Sequence, residues 1–322
     1  MSAAIGADLG GTKMAVGVVD EGPEVLWRST EATTGRTLDE LMEALEHELR
    51  AGLEACPDAE AIGLGVPSTI DRKRGVAVAS VNLPIADVPV ADLIAERIGL
   101  PTFMDNDANL AALAEHRFGV GRGTRNLVLV TIGTGIGGGL VLEGEPFRGS
   151  SGAGAELGHV VIDENGPHCP GNCPNHGCVE ALASGTALGR AGTLAAQTHP
   201  DSALGRALEA DGEVTGRTVT EAALAGDGIA VEVVAGIGRH LGVALASYAN
   251  IFDPDVIVVG GGVAAAGELL LEPARRELRA RALPPMNETR VSLAALGPEA
   301  GMIGAATMAL EGLASERRGE PS

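Results

Sequence analysis

The hydrophobic and polar positions of this chain alternate in a way that predicts strands and helices in turn. Short apolar runs bounded by glycine, proline or polar residues are typical of buried strands, and they occur at 3–8, 13–20, 61–67, 101–105 and 255–263. Apolar residues at helical spacing predict helices at 37–55, 108–118, 231–252, 268–283 and 301–314. Residues 315–322 are expected to fray. This order of elements predicts an α/β fold.

The pattern starts again near residue 118. The segment 126–144 predicts a strand, a glycine-rich turn and a second strand, and it resembles the segment around "GADLGGTKMAVGVVD" at 6–20. The chain has 322 residues, of which 45% are hydrophobic, and this length suits two domains of roughly 100–200 residues each. We therefore expect two related half-domains around a cleft.

Charge and composition narrow the class of protein. The formal net charge of −20 repels phosphate backbones, so we expect no nucleic-acid partner. No apolar run approaches the ~20 residues that cross a bilayer, and the start "MSAAIGADLGG" lacks the features of a signal peptide. Four cysteines in a chain of this length do not suggest a disulfide scaffold. We expect a cytoplasmic protein with no membrane partner.

Three glycine turns are candidates for binding phosphate: "DLGGTK" at 8–13, "GTGIGGG" at 133–139 and "GGGV" at 260–263. Glycine lets the backbone approach a ligand closely, and successive N–H groups bind anions. The second turn fits the dinucleotide fingerprint in letters, but it leads into a strand and not a helix. The first turn is not a P-loop, because Thr12 precedes Lys13. A phosphate-binding hairpin turn, present twice, agrees with both segments.

A predicted strand ends in Asp105-Asn106-Asp107, just before a predicted helix. Ligands of α/β folds collect at the carboxyl ends of strands. In phosphoryl transfer to a sugar hydroxyl, Asp107 could accept the proton while Asn106 binds a neighbouring hydroxyl. The alternative is that Asn106 or Asp107 caps the helix. The residues alone leave both possibilities open.

Five motifs in order give the chain a resemblance to a known family: "DLGGTK", "NDAN", "GTGIGGG", "AELGH" and "GCVEALASG". It resembles the sugar kinases of the ROK family (repressors, open reading frames, kinases) over residues 4 to 312, and within that family the ATP-dependent glucokinases of bacteria. The resemblance implies an actin-like ATPase (ribonuclease H-like) fold with two domains and a cleft between them. The expected small domain is 1–117 rejoined by a helix at 303–314, and the expected large domain is 118–302 with a zinc-binding loop at 159–180.

The resemblance also implies ATP-dependent phosphorylation of glucose, with Mg-ATP, a structural zinc ion and a homodimer or homotetramer. Asp107 would be the general base. The implied sugar-binding residues are Asn82, Asn106, Asp107, Glu156, His159 and Glu180. The implied residues for Mg²⁺ and the nucleotide are Asp8, Gly10, Gly11, Thr12, Lys13, Gly133, Thr134, Gly135, Gly137, Gly138, Gly261 and Gly262.

Three of the four cysteines lie within ten positions, at Cys169, Cys173 and Cys178, and they follow His159. One histidine and three cysteines satisfy tetrahedral Zn²⁺ as a closed structural site. The spacing C-x₃-C differs from the C-x-C usual in the family. His168 and His176 are alternative nitrogen ligands, and a redox pair of Cys169 and Cys173 is the alternative to a metal site.

The chain departs from the family pattern at Ser68 and Ala155, where the family often has glycine, and it lacks the aromatic residue that follows the Asn82 region. Repressors of the family carry a DNA-binding segment before the first glycine turn, whereas seven residues precede Asp8 here, so we expect a kinase. The second turn favours ATP over polyphosphate. The alternatives are a kinase of mannose, fructose, N-acetylmannosamine or N-acetylglucosamine, or a sugar-sensing protein without catalysis.

Overall fold

The computed structural model describes residues 2–71, 74–80 and 82–319, which form thirteen strands and ten α-helices. The strands are β1 (Ala3–Leu9), β2 (Lys13–Asp20), β3 (Val25–Ala32), β4 (Ala59–Val66), β5 (Ile70–Asp71), β6 (Val76–Ala79), β7 (Ala86–Val88), β8 (Thr102–Asn106), β9 (Leu127–Ile132), β10 (Ile136–Leu142), β11 (Glu145–Phe147), β12 (Val256–Gly260) and β13 (Arg290–Leu293). The helices are α1 (Leu38–Ala55), α2 (Val90–Ile98), α3 (Asp107–Arg117), α4 (Val179–Ala183), α5 (Gly185–Thr198), α6 (Ala203–Asp211), α7 (Gly216–Leu224), α8 (Gly228–Phe252), α9 (Glu268–Arg281) and α10 (Ala300–Arg318). The predicted α/β fold class is confirmed.

Two five-stranded sheets share one topology. The first has the order β3-β2-β1-β4-β8 and the second has the order β11-β10-β9-β12-β13. In each sheet the second strand is antiparallel to both of its neighbours, and the last two strands run parallel to the central strand. The β1–β2 and β9–β10 hairpins therefore occupy equivalent places, which explains the repeat in the sequence. A small sheet of β5, β6 and β7 forms an arm after β4.

Helix α1 shows how local signals and burial agree. Thr37 caps the helix, and Glu40 reaches back to the backbone N–H of Thr37, which completes a capping box. Leu41, Leu45 and Leu49 lie on one face and are fully buried against the first sheet. The helix predicted at 37–55 is thereby confirmed.

We call each five-stranded sheet, together with the helices that pack on it, a unit. Helix α8 is the central helix of the second unit. Within the described residues it is the one helix long and apolar enough to cross a membrane by length and composition, and half of its most apolar stretch is buried inside the protein. It packs along α9 and contributes Leu241, Leu245 and Tyr248 to the largest core cluster. A core helix passes the same length and composition test, so this one is weak evidence for a membrane span.

Helix α10 lies very close to the first sheet and to α3. A Cβ atom on Gly6 of β1, or on Gly63 of β4, would overlap a backbone carbonyl oxygen of α10. Similarly, a Cβ on Gly304 of α10 would overlap the carbonyl oxygen of Leu110 in α3. Glycine at these positions removes the side chains that would otherwise separate the backbones. The last helix is thus seated on the first strand of the chain.

The chain passes between the two sheets twice, once through residues 118–126 from α3 to β9 and once through residues 294–299 from β13 to α10. An ion pair between Asp105, at the end of β8, and Arg148, just after β11, also joins the two units. The division into 1–117, 118–302 and a returning helix at 303–314 stays a prediction.

Several elements differ from the sequence-based expectations. Strand β3 and helices α5, α6 and α7 were not expected. In β3 inner and outer positions alternate, and its half-exposed residues include polar ones, so it lacks a continuous apolar run. The three helices are short or rich in alanine, glycine and threonine, and they are stabilised by packing against one another and α8. The tail expected to fray at 315–322 is helical through Arg318, while residues 320–322 lie outside the described part of the chain.

We expect Gly304→Ala to destabilise the protein by at least about 1–3 kcal/mol, because the new methyl group would meet a backbone carbonyl that cannot turn aside. The matched control is Gly236→Ala, which lies inside α8 and whose Cβ would come no nearer than 3.6 Å to a neighbour, the end of the Arg239 side chain. Alanine there should stabilise by roughly 0.5–1 kcal/mol. Urea unfolding of both variants measures the difference, and a Gly304→Ala protein as stable as wild type would contradict the close packing.

Candidate active site

A cleft of about 640 Å³ lies between the two sheets, at the carboxyl ends of β1, β8, β9 and β12. This is where α/β folds bind ligands. Residues from both units line it, and most of the predicted site residues are among them. The lining includes Asp8, Gly10, Gly11, Asn82, Asn106, Asp107, Gly133, Thr134, Gly135, Gly137, Glu156, His159, Glu180 and Gly261.

Asp8 sits on β1 in a tight environment. Its carboxylate lies against Gly301 in the first turn of α10, where a Cβ would overlap it. The pKa of Asp8 is raised to about 7, mainly by burial and also by the negative charge of Asp107, while Lys13 acts in the opposite direction. A carboxylate whose charge is this unfavourable gains from a bound cation, and Mg²⁺ prefers oxygen ligands. The chemistry of Asp8 therefore fits the role that the family resemblance implies.

The first glycine turn is closed by a hydrogen bond of 2.9 Å from the Gly10 N–H to the Lys13 carbonyl oxygen. The Thr33 hydroxyl donates to the Gly10 carbonyl oxygen at 2.8 Å and supports the turn from β3. A Cβ on Gly11 would lie 2.6 Å from the Cβ of Asn82, so the arm that carries Asn82 packs directly on this turn. Thr12 and Lys13 are exposed beside the cleft rather than among its lining residues.

The segment that follows the cysteine cluster supports the second glycine turn through hydrogen bonds. Glu180 Oε2 accepts a hydrogen bond of 2.7 Å from the Ile136 N–H. The Thr186 hydroxyl donates to the Thr134 carbonyl oxygen at 2.8 Å, and the Gly185 N–H donates to the Gly133 carbonyl oxygen at 2.8 Å. These bonds fix the backbone of the turn, which remains exposed to the cleft.

Not every predicted glycine faces the cleft. A Cβ on Gly138 would lie 2.5 Å from the Ala155 carbonyl oxygen, so this buried glycine permits close packing behind the turn. Gly261 lines the cleft with φ +87°, a conformation that favours glycine, and a Cβ there would lie 2.5 Å from the Ile132 carbonyl oxygen. Gly262 begins a short 3₁₀ helix and is not among the lining residues.

The sequence left open whether Asn106 and Asp107 cap the helix or face a ligand. In the structure Asn106 caps the helix and Asp107 lines the cleft. Asn106 is the N-cap of α3, and its Oδ1 accepts from the Ala108 and Asn109 N–H groups at 3.0 and 3.2 Å. Asp107 is the first residue of the helix, and its carboxylate lines the cleft. Burial raises the pKa of Asp107, while a hydrogen bond of 2.8 Å from the Ala108 N–H opposes that shift. A carboxylate with a raised pKa is a better proton acceptor.

Glu156, His159 and Glu180 form a polar wall of the cleft that Asp107 also lines. Glu156 Oε2 lies 4.0 Å from His159 Nε2. Burial raises the pKa of Glu156, His159 lowers it, and the charges of Glu180 and Asp107 raise it, so these three groups are close enough to act on Glu156. Ala155 holds φ +66°, a conformation that alanine adopts only at a cost, which explains why glycine would suit this position. Such a ring of donors and acceptors suits a ligand with several hydroxyl groups.

His159, Cys169, Cys173 and Cys178 form a cluster with the geometry of a metal site. One ligand atom from each lies within 4.8 Å of all the others. The sulfurs of Cys173 and Cys178 are 3.9 Å apart, near the roughly 3.8 Å expected for two sulfurs of a tetrahedral zinc site. All three cysteines are free thiols, and His168 and His176 stack edge to face on each other, outside this cluster. The donor set fits Zn²⁺.

His159 connects the cluster to the cleft. Its Nδ1 lies 3.5 Å from the Cys169 sulfur, while its Nε2 is directed toward Glu156. Cys178 immediately precedes α4, the short helix that carries Glu180. The metal-site candidates and the polar wall are therefore parts of one continuous structure.

Sequence reasoning missed three residues that support the site. Ser68, at the cleft wall, is buried and bonds both the N–H and the carbonyl oxygen of Ala79, which ties the base of the arm. Thr186 supports the second turn, and Glu115 is a fully buried acid on α3. Ser68 carried a signal as a departure from the family pattern, and Glu115 carried one as a charged residue within the apolar stretch of a predicted helix.

Two sheets of one topology around a cleft lined by glycine hairpin turns define an actin-like ATPase fold. Residues 4–312 match the model of the ROK family, and the chain belongs to that family. It is 38% identical over 307 residues to a glucokinase of Halalkalibacterium halodurans, and the match covers 93% of this chain and 92% of the relative.

Two solved structures support the same placement. A ROK family glucokinase from Streptomyces griseus, in complex with glucose and AMPPNP, is 36% identical with a TM-score of 0.85, and the match covers 96% of this chain and 99% of that one. A ROK hexokinase from Thermus thermophilus is 38% identical with a TM-score of 0.78, covering 97% of this chain and 99% of that one. The recognition of the family from five motifs is confirmed.

We expect the contribution of Asp8 to the stability of the ligand-free protein to fall as the pH rises from about 4 to about 7. The pKa of Asp8 is about 7 in the folded state against 3.8 as the ordinary value, so across this range the folded state binds more protons than the unfolded state. Asp8→Asn removes this penalty, and its gain in melting temperature over wild type should grow between pH 5 and pH 8.

Thermal unfolding of wild type and Asp8→Asn at four pH values measures the effect. Asp58→Asn, at an exposed carboxylate, is the control and should follow the wild-type pH profile. A constant difference between Asp8→Asn and wild type at all pH values would contradict the assignment.

Proposed function

We propose that this protein is an ATP-dependent glucokinase that transfers the γ-phosphoryl group of Mg-ATP to the 6-hydroxyl of glucose. The observation that carries the proposal is the Asp107 carboxylate, held at the start of α3 in a cleft shared by the glycine turns and the polar wall. The glucokinase relatives and the glucose complex of the Streptomyces griseus enzyme support glucose as the acceptor.

The nucleotide side of the site consists of backbone N–H groups and Asp8. We assign the phosphates to the turns at 10–13 and 133–137, whose N–H groups are suited to anions in a protein of net charge −20. Gly261 would lie under the adenosine, where the lack of a side chain leaves room for a base. Asp8 would hold Mg²⁺, which neutralises charge on the phosphates during transfer.

The reaction then needs one proton acceptor. Asp107 takes the proton from the 6-hydroxyl as that oxygen forms its bond to the γ-phosphorus and the bond to the β-phosphate oxygen breaks, which leaves ADP. Asn82, Glu156, His159 and Glu180 orient the other hydroxyls. Asn106 holds the helix start in place through its capping bonds.

We assign a structural zinc ion to His159, Cys169, Cys173 and Cys178. Four protein ligands leave no open position, so the ion would supply rigidity and no catalysis. It would fix the orientation of the His159 ring, whose second nitrogen faces the sugar side of the cleft.

We also propose that residues 1–117 with the returning helix 303–314 move against residues 118–302 when the sugar binds. We propose further that the protein is cytoplasmic, that it has no nucleic-acid or membrane partner, and that it forms a homodimer or homotetramer. The charge of −20 supports the absence of nucleic-acid partners.

The proposal is tested by measuring ADP release with glucose, mannose, fructose, N-acetylmannosamine and N-acetylglucosamine, each with ATP, GTP or polyphosphate. We expect the highest kcat/KM for glucose with ATP. Asp107→Asn should lower kcat roughly 10²- to 10⁴-fold, because it removes the base, while glucose affinity changes little. Asp58→Asn serves as the control with wild-type activity.

Three results would contradict the proposal. A preference for another sugar by tenfold or more would transfer the activity to that hexose. Turnover of Asp107→Asn within tenfold of wild type would remove Asp107 from the role of base. Absence of sugar-dependent ADP release with all donors would favour a sugar-sensing protein.

We expect about one zinc ion per chain in purified protein after desalting, because four ligand atoms already lie within reach of one ion. Cys173→Ser should lose most of the zinc and lower the melting temperature, because the site then lacks a sulfur ligand. Cys56→Ser is the matched control, since Cys56 is a free thiol outside the cluster, and it should keep the metal. Metal analysis by mass spectrometry that finds no zinc in the wild type, together with a Cys169–Cys173 disulfide, would refute the site.

A further inference from the structure

Glu115 is a fully buried acid that the proposed chemistry does not use. It lies near the end of α3, the helix that begins with Asp107. Its Oε2 accepts a hydrogen bond of 3.1 Å from the Val120 N–H, and its Oε1 accepts one of 2.7 Å from the Leu296 N–H. Burying a carboxylate costs free energy unless its oxygens accept hydrogen bonds, so the two N–H donors stabilise Glu115 in this position.

The two donors belong to the two crossings of the chain between the sheets. Val120 lies in the crossing at 118–126, and Leu296 lies in the crossing at 294–299. These crossings are far apart in sequence, yet one carboxylate binds both of them. A rotation of one unit against the other must act on the backbone at these two places, because they are where the chain passes from one sheet to the other.

The surroundings of Glu115 are built to keep the carboxylate in this place. A Cβ on Gly119 would overlap Oε2, so only glycine leaves space for the bond. The carbonyl oxygen of Glu115 accepts from the Gly119 and Gly121 N–H groups at 3.1 and 2.9 Å. Arg290 also donates to the Val120 carbonyl oxygen at 3.1 Å and ties the first crossing to β13.

Helix α3 connects this arrangement to the reaction. It packs against α10 and β4 on the side of the first sheet and against β9 and β10 on the side of the second. Asp107 and Glu115 lie eight residues apart on it, or about 12 Å along the helix axis. A change in how the crossings are joined would therefore change how Asp107 meets the 6-hydroxyl of the sugar.

We propose that Glu115 is a positioning residue of the hinge: its carboxylate joins the two crossings, so that the cleft closes about one defined axis and places Asp107 correctly. The inference rests on the proposed kinase function. Loss of one bond would leave the crossings free to move separately, and the closed cleft would have a less defined geometry. Misplacement of reacting groups by about 1 Å can cost on the order of 10²-fold in rate.

The test uses Glu115→Gln in the full chain, which keeps the shape and replaces one acceptor oxygen by an NH₂ group. We expect kcat for glucose with ATP to fall roughly ten- to hundredfold. We also expect the decrease in radius of gyration on glucose binding, measured by small-angle X-ray scattering, to be smaller than in wild type. Gly119→Ala, whose methyl group would displace the carboxylate, should have the same two effects.

The matched control is Asp227→Asn. The two oxygens of Asp227 likewise accept from two backbone N–H groups of different elements, Ala230 at 2.9 Å and Ala203 at 2.7 Å, but far from the crossings. It should lower the melting temperature while kcat and the glucose-induced compaction stay within twofold of wild type. If Glu115→Gln behaves like Asp227→Asn, the carboxylate is only structural and the hinge role is refuted.

A measurement on the wild type needs no variant. Hydrogen exchange with and without glucose should change protection at 118–126 and 294–299 together, and a response at only one of them would overturn the proposal. Failure of the kinase proposal would look different, because wild type would then show no ADP release with any sugar tested. Turnover and compaction in wild type, with both unchanged in Glu115→Gln, would refute the hinge role alone.

Discussion

The close seating of α10 on the first sheet is the constraint on which the site depends. Gly6 and Gly63 let the backbones of the sheet and α10 meet, and Gly304 does the same between α10 and α3, so the position of α10 is fixed within narrow limits. That position brings the first turn of α10 against Asp8 and brings the loop at 294–299 to Glu115. Strand β1 and helix α10, from the two ends of the chain, thus form one side of the cleft together, and α3 packs against α10.

The cleft concentrates negative charge in a protein that is already acidic. The charge of Asp107 acts on Asp8 and Glu156, that of Glu180 acts on Glu156, and burial raises the pKa of Asp8, Asp107 and Glu156. Such a cluster would be unfavourable without a purpose, because like charges in a partly dry site repel. A cation at Asp8, a proton accepted at Asp107 and sugar hydroxyls at the polar wall, as proposed, would each relieve part of that repulsion. The unfavourable ground state and the proposed chemistry are two aspects of one arrangement.

The fold and the glycine turns could be predicted because their signals are local. Alternating apolar runs identify the strands, and five motifs identify the family, so Asp8, Asp107 and the cysteine cluster followed at once. What could not be predicted depends on contacts distant in sequence. Helices α5 to α7 have compositions that become helical only against α8, and Gly138 has the same letters around it as the glycines that face the cleft. Glu180 was expected to bind the sugar, yet its bond to the Ile136 N–H appears only when α4 is placed beside the turn.

That bond of Glu180 has a thermodynamic consequence. The Glu180 carboxylate is part of the polar wall that lines the cleft, and its Oε2 also holds the backbone of the second glycine turn. A ligand that shifts Glu180 at the wall would shift the turn through this bond, and a ligand at the turn would act on Glu180 in the same way. Linkage then requires that each ligand change the affinity of the other by the same factor. The affinity for one reactant would thus depend on whether the other is already bound.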